Sequence, residues 1–205
     1  EREKNSSLKR RRDTNCSCTP HPWHLLMDGL ASFCEWGFGR RESKVVMTSH
    51  IHAAIRGFNE IILGGVPFLL RQNETAFLSF MCMVAAIDSL AGYRYTTDEV
   101  GQRFKDFIKE YFPASYASHA ENLFKFRCRM LHNFSPAYFN LAHASPTEHL
   151  QQSQAGGTTL SDDVFFADLR AAALKFFDEV QSDVKRQDAM NARLLNLKTG
   201  GAIYY

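Results

Sequence analysis

Apolar residues recur at three- and four-residue steps along most of the chain after Thr48. This period places them on one face of an α-helix. The first apolar stripe runs from Ile51 to about Leu63, where the stretch 64–67, Gly-Gly-Val-Pro, interrupts it before the chain continues to Arg71. The pattern therefore predicts a first helix that is kinked or broken at the glycines.

The second predicted helix runs from about Glu74 to Ala91 and is apolar almost all round, which is typical of the central helix of a bundle. Asn73 is its expected N-cap, and Gly92 is its expected C-terminal stop. Asp88 lies among its apolar residues. Because an unpaired carboxylate is costly there, we expect an arginine of the bundle to pair with it.

Two further helices are predicted before the pattern changes. A capping box, Thr96-x-x-Glu99, opens a helix that runs to about Tyr111. The next helix runs from about Ser118 to Leu131.

After Pro136 the chain loses its helical period. Residues 138–143 predict a short strand, and residues 145–159 a polar loop. Ser161 is the expected cap of a long last helix that continues to about Leu197. The sum predicts an all-α fold, a four- to five-helix bundle with a small loop or β excursion after the fourth helix.

Residues 1–46 differ from the rest of the chain, because they contain both tryptophans and three of the five cysteines and show no sustained period. We interpret the chain as an atypical N-terminal arm, 1–46, and a bundle, 47–205. The arm is either native or a tag, fusion or translated upstream region before Met47. Its potential metal ligands have spacings that match no common zinc finger, so we expect no metal site. These ligands are Cys16, Cys18, His21 and His24.

Composition narrows the function classes only a little. A net charge of +2 does not indicate a nucleic-acid binder by bulk electrostatics, so any such site must be a local patch. An odd number of cysteines in a chain of 205 residues is not a disulfide framework and favours a cytoplasmic setting. The most apolar stretch, Ala76 to Ile87, has 12 residues against the ~20 that cross a bilayer. We therefore expect a core helix and no membrane partner.

The main candidate for chemistry is the stretch 126–136, F-R-C-R-M-L-H-N-F-S-P, at the end of the fourth predicted helix. Arg127 is a permanent cation, and His132 titrates near neutral pH, which suits both groups to phosphodiester cleavage without a metal. Five residues along a helix separate them by about 140°. They converge only in a cleft, at a loosened helix end or across a two-fold interface.

This R-x4-H pattern at the end of a bundle helix resembles the HEPN superfamily, whose signature is R-x4–6-H. Many members are metal-independent endoribonucleases, or toxins of toxin–antitoxin and phage-defence systems. The stretches 85–93 and 104–113 are also similar to uncharacterised bacterial proteins of this kind, and the resemblance covers roughly residues 48–200. Active members often place a polar residue, commonly Asn, directly after the arginine, where this chain has Cys128.

The resemblance implies a ribonuclease without cofactors that works as a homodimer, with two motifs lining one cleft. His132 would act as general acid or base at the ribose 2′-hydroxyl or the leaving oxygen, and Arg127 would hold the scissile phosphate. An antitoxin protein is the implied partner besides RNA. Four neighbouring side chains would bind the RNA through hydrogen bonds or flanking phosphates. They are Lys125, Arg129, Asn133 and Ser135.

The alternative is a non-catalytic dimeric helical module that binds RNA or a protein partner. A solvent-open cleft that joins Arg127 to His132 would favour the enzyme. A buried Arg127–Asp88 pair with His132 pointing away would favour the binding module.

Overall fold

The computed structural model describes residues 47–154 and 156–196. The predicted N-terminal arm, 1–46, and the segment after Asn196 lie outside the described residues. The described part is mainly helical with one two-stranded sheet, which confirms an all-α bundle with a small β excursion. The helices and strands are α1 (Ser49–Phe58), α2 (Val66–Leu69), α3 (Ala76–Arg94), α4 (Val100–Tyr111), α5 (Ala120–Asn133), β1 (Phe139–Ala142), β2 (Thr158–Ser161), α6 (Asp162–Ser182) and α7 (Val184–Asn196).

The break in the first predicted helix is present and has a steric cause. A π-helical turn, Asn59–Leu63, follows α1, and the short α2 begins after Gly65. A Cβ atom at Gly65 would collide with the carbonyl oxygen of Ile61. The close approach of this carbonyl therefore needs a glycine at this position.

Helix α3 is the central helix, and most of its residues from Phe80 onward are buried. The predicted caps were wrong, because Thr75 precedes its first residue and Gly92 lies inside the helix, which continues to Arg94. Burial against the other helices outweighs the cost of a glycine near the end. Together with the preceding 3-10 turn, the helix is 22 residues long with a mean hydropathy of 1.6, enough by length and composition to cross a membrane. Half of that window is buried in the bundle, as in the core helix of a globular fold.

Helix α4 ends at Tyr111 as predicted, but the capping box was wrong. The helix begins at Val100, and Glu99 donates its backbone N–H to Thr97 Oγ1 at 3.3 Å. A 3-10 turn, Ala114–His119, then leads into α5.

Strand β1 lies where the sequence predicts it, and Phe139 anchors it to α5 through an edge-to-face contact with Phe126 at 5.4 Å between ring centroids. Its partner β2 lies at the end of the predicted loop, and the two strands are parallel with Phe139 opposite Thr158. A two-stranded parallel pair is held mainly by the side chains beneath it.

The long last helix was predicted as one element, but it is two. Asp183 is extended (φ −120°, ψ 112°) and its Oδ1 accepts the N–H of Lys185 at 2.9 Å, so it separates α6 from α7. Helix α7 then returns to pack on α3 and α1. This return brings Arg193 of α7 beside the start of α4.

Candidate nucleic-acid interface on helix α5

Helix α5 presents two faces of opposite character. Leu123, Phe126 and Met130 are fully buried in the core. Lys125, Arg129 and His132 are exposed. Steps of four and three residues bring these last three side chains onto one face of the helix.

Arg127 belongs to the interior. Its Nη2 makes a short ion pair with Asp88 Oδ2 of α3, and the two side chains are 12% and 19% exposed. Arg103 of α4 lies on the other side of the carboxylate, with its Nη2 3.8 Å from Asp88 Oδ1. Burial by itself lowers the pKa of Arg127, but the charge and hydrogen bond of Asp88 outweigh it, so that its pKa ends raised. The arginine partner that the sequence predicts for Asp88 is therefore present.

The exposed face forms what we call the α5 stripe, defined by Lys125, Arg129 and His132. Lys125 Nζ lies 3.7 Å from Glu121, whose carboxylate also binds Lys105 at 3.0 Å. Within the described part of the chain, neither the Arg129 guanidinium nor the His132 imidazole has a hydrogen-bond or ion-pair partner. Both groups are therefore available to a ligand.

Two exposed aromatic residues follow the stripe. Phe134, at the C-terminus of α5, is 68% exposed, and Tyr138, before β1, is 47% exposed. Both have left-handed backbones, with φ values of 50° and 78°. Bulky residues seldom adopt this conformation, which costs roughly 1–2 kcal/mol and favours glycine. The Ser135 N–H donates to the Arg129 carbonyl at 3.2 Å and closes the helix end around Phe134.

Tyr138 is coupled to the stripe directly. The Nζ of Lys125 lies 5.6 Å from the centroid of its ring, within the range of a cation–π contact. Sequence analysis did not select Phe134 or Tyr138 as site residues. The available signal was an aromatic residue on each side of the Ser135-Pro136 break, where no helix buries them.

The structure thus separates the predicted site residues into two groups. Arg127 is held inside the bundle by Asp88, whereas Lys125, Arg129 and His132 share the exposed stripe. Asn133 is exposed and Ser135 half-buried at the end of the same helix. Within one copy Arg127 and His132 are not brought together. No cluster of three or more His, Cys, Asp or Glu suited to a metal is found among residues 47–154 and 156–196.

A second polar cluster anchors the loop between the strands. The fully buried Asp162 accepts hydrogen bonds from the Ala144 N–H at 3.1 Å and the Asp163 N–H at 2.8 Å, and it lies 2.7 Å from His143 Nδ1. These bonds hold the end of β1 against the start of α6.

His149 is the other histidine of this loop, and its protonation state follows from its contacts. Nδ1 accepts the Ser161 N–H at 3.1 Å, so the proton of the neutral ring is on Nε2. Nε2 donates to Tyr116 Oη at 2.8 Å, and Tyr116 donates to Asp168 at 2.7 Å. Burial lowers the pKa of His149 below its usual value. This chain of hydrogen bonds is fully satisfied and ties the loop to α6.

Comparison with protein-family models, curated proteins and solved structures gives no match for this chain. The resemblance to HEPN proteins thus rests on the motif and its helical setting.

Proposed function

We propose that this chain is an RNA-binding helical module of HEPN-like type, which binds single-stranded RNA on the α5 stripe and the two aromatic residues beside it. The observation that carries the proposal is the combination, at one helix end, of exposed basic side chains with exposed aromatic rings. The burial of Arg127 against Asp88 favours a binding module over a catalytic pair.

The cations are spaced to follow a phosphate backbone. Lys125 and His132 are seven residues apart, about 10 Å along the helix axis, with Arg129 between them. Arginine binds phosphate oxygens through its planar fork, and Arg129 has no acidic partner in the described chain. The stripe therefore offers three successive hydrogen-bond donors, two of them on cationic side chains, to one strand.

Phe134 and Tyr138 supply the surfaces on which bases stack. Stacking on an exposed aromatic side chain contributes roughly 1–3 kcal/mol per base and needs an unpaired, accessible base. A duplex hides its base faces, so the site selects single strands. The left-handed backbone at both positions fits this use, because strained residues occur where a side chain must be presented.

Partners and location are part of the same proposal. The HEPN resemblance adds a homodimer, in which two copies of the stripe line one cleft, and an antitoxin protein that would cover it. The expected location is the cytoplasm, where RNA is available.

The test is fluorescence anisotropy with a labelled single-stranded RNA, performed on the wild type and three variants. We expect Arg129→Ala and Phe134→Ala each to weaken binding by about tenfold, from the loss of a charge-assisted contact and of a stacking contact. Lys109→Ala removes an exposed cation from α4, outside the stripe, and should leave binding within about twofold. Equal affinities for all four proteins would refute the proposed surface.

Metal-independent RNA cleavage is the second candidate, and the exposed, unpartnered His132 is the observation that favours it. In a dimer, His132 of one copy would act as general base on a ribose 2′-hydroxyl, and Arg127 would contact the phosphate from the partner copy or after leaving Asp88. Incubation of an RNA pool in EDTA tests this, with His132→Ala as the variant and dimerisation measured for both proteins. Cleavage that His132→Ala abolishes supports the enzyme; binding without cleavage supports the module.

A further inference from the structure

A second group of cations lies on the opposite side of α5, where α3 ends, α4 begins and α7 passes. We call it the arginine cluster: Arg103, Arg127 and Arg193, with the carboxylates Asp88 and Asp98. Arg103 lies in the first turn of α4, and its guanidinium is 3.9 Å from where a Cβ of Gly92 would stand. The cluster is thus at the end of the bundle rather than at its centre.

The interior part of the cluster carries more positive than negative charge. Two guanidiniums, those of Arg103 and Arg127, share the single carboxylate of Asp88. Their side chains are only 10% and 12% exposed, so water screens them poorly. One positive charge is left without a counterion inside the bundle.

The third guanidinium has its own carboxylate, but a poorly held one. Arg193, whose side chain is 20% exposed, binds only Asp98 at 3.1 Å within the described chain, and Asp98 is 91% exposed. A pair with so exposed a partner is weak and easily exchanged. Burial lowers the pKa of Arg103, and the charges of Arg193 and Arg127 lower it further, against the opposing effects of Asp88 and Asp98.

Hydrogen bonding shows the same deficit. The Nε atoms of all three arginines are buried and have no hydrogen-bond partner among the described residues. Buried polar groups are almost always paired, and unpaired donors on charged groups are the costliest exceptions. Asp88 Oδ1 is likewise buried without a hydrogen bond, since Arg103 Nη2 stands 3.8 Å away. An anion with several acceptor oxygens would satisfy the three donors and neutralise the excess positive charge.

We propose that the arginine cluster is a phosphate-binding site, with Arg103 and Arg193 as its principal ligands and Asp98 as the exposed group that the anion displaces. Guanidinium forks match the oxygen geometry of phosphate, and a dianion neutralises the excess charge. The bound group is either free inorganic phosphate or the terminal phosphate of a nucleic acid. The site is separate from the α5 stripe and does not depend on it.

The experiment is thermal unfolding of the whole chain, followed by circular dichroism, with increasing inorganic phosphate at constant ionic strength maintained with chloride. A ligand that binds only the folded state raises the Tm with its concentration. We expect phosphate to raise the Tm of the wild type where chloride does not. Identical curves in phosphate and chloride, together with no rise from 5′-phosphorylated RNA, would overturn the proposal.

Two substitutions on the cluster have opposite expected effects. Asp98→Asn removes the competing carboxylate from an exposed loop position, so phosphate should bind it several-fold more tightly than it binds the wild type. Arg103→Gln removes a ligand and the excess charge together, so it should weaken phosphate binding by at least about tenfold. If Asp98→Asn leaves the phosphate affinity unchanged or lowers it, the proposed place of binding is wrong.

The source of the phosphate and the independence of the site are tested in the same assay. A short RNA with a 5′-phosphate is compared with the same RNA ending in a 5′-hydroxyl. A rise in the Tm with inorganic phosphate identifies the free ion as a ligand. A rise in the Tm only with the 5′-phosphorylated RNA identifies the end of an RNA as the ligand. Arg129→Ala should keep the phosphate response, so that failure of RNA binding on the stripe and failure of this site give different results.

Discussion

The two faces of α5 carry the same residue type in opposite roles. Arg127 and Arg129 are two residues apart, and this separates their side chains by about 200° around the helix. Arg127 is paired with Asp88 inside the bundle, whereas Arg129 is exposed and has no ion-pair partner in the described chain. Angular position, rather than residue type or closeness in sequence, therefore decides whether a cation is paired inside the fold or stays open to solvent.

The largest expected change in the free energy of unfolding comes from replacing Asp88, the carboxylate that pairs with Arg127 on the buried face of α5. Asp88→Asn leaves the guanidiniums of Arg127 and Arg103 without a counterion, and breaking a buried pair in this way costs roughly 3–5 kcal/mol. Urea denaturation should show this loss of unfolding free energy. Asp178→Asn, on an exposed position of α6, is the matched control and should change it by less than about 0.5 kcal/mol. Similar stability of the two variants would show that the buried pair is not structural.

Replacing the two arginines in turn tests the comparison itself. Arg127→Ala should lower the unfolding free energy by about 3 kcal/mol, the lower end of the range, because Arg103 still compensates Asp88. Arg129→Ala should stay within about 0.5 kcal/mol of the wild type in stability but lose RNA affinity. Stability by urea denaturation and RNA affinity by anisotropy should therefore separate the two variants. An Arg129→Ala protein that unfolds as easily as Arg127→Ala would break the comparison.

A smaller effect on the free energy of unfolding is expected at Phe134, whose backbone is left-handed. Phe134→Gly and Phe134→Ala both remove the stacking ring, so both should lose RNA affinity equally. Only glycine relieves the left-handed backbone, so Phe134→Gly should be more stable than Phe134→Ala by about 0.5–1 kcal/mol. The difference in unfolding free energy between the two variants is the measurement. A Gly variant less stable than the Ala variant would indicate that the backbone is not strained.

The smallest effect is expected from the acidic residue next to the stripe. Glu121→Gln releases Lys105 and Lys125, so RNA affinity should rise by about two- to threefold at low salt. A hydrogen bond from Lys105 holds the pKa of Glu121 below its usual value. Its contribution to stability is then present above the unfolded-state pKa and lost as the pH falls through the folded one. That contribution is at most about 0.5 kcal/mol, because the side chain is 54% exposed. Anisotropy across a salt series and denaturation at two pH values check both parts.

The helical period of the apolar residues can be read from the sequence, because it depends on residue order alone. The apolar residues of α3, the end of α4 at Tyr111 and strand β1 were predicted where the structure has them. The partner of Asp88 was also expected, since a carboxylate among apolar residues requires a counterion. The break at Asp183 was missed, although an aspartate before a helical run is a typical N-cap.

The caps were predicted less well than the helices they end. The expected boundaries at Asn73, Gly92 and Thr96 all differ from the structure. Helix ends depend on small free energies of about 1 kcal/mol, and packing of the neighbouring residues easily exceeds them.

The candidate site was predicted only in part. The sequence placed Arg127, Arg129 and His132 at one helix end, but it did not decide which of the two arginines is exposed. That follows from the direction in which α3 and α4 pack on α5. The exposure of Phe134 and Tyr138 was not readable either, because it depends on where β1 crosses the helix.

The sequence by itself determined the helical bundle, its central helix and the presence of a cationic helix end, since each follows from the order of apolar and charged residues. The tertiary structure alone decided which of these charged side chains are paired inside the bundle and which are exposed. It buried Arg127 against Asp88, left Arg129 and His132 exposed, and placed Arg103 of α4 beside Asp88 and Arg193 of α7 beside Asp98. Helices distant in sequence meet only when the core forms, and their contacts determine which charges lose access to water.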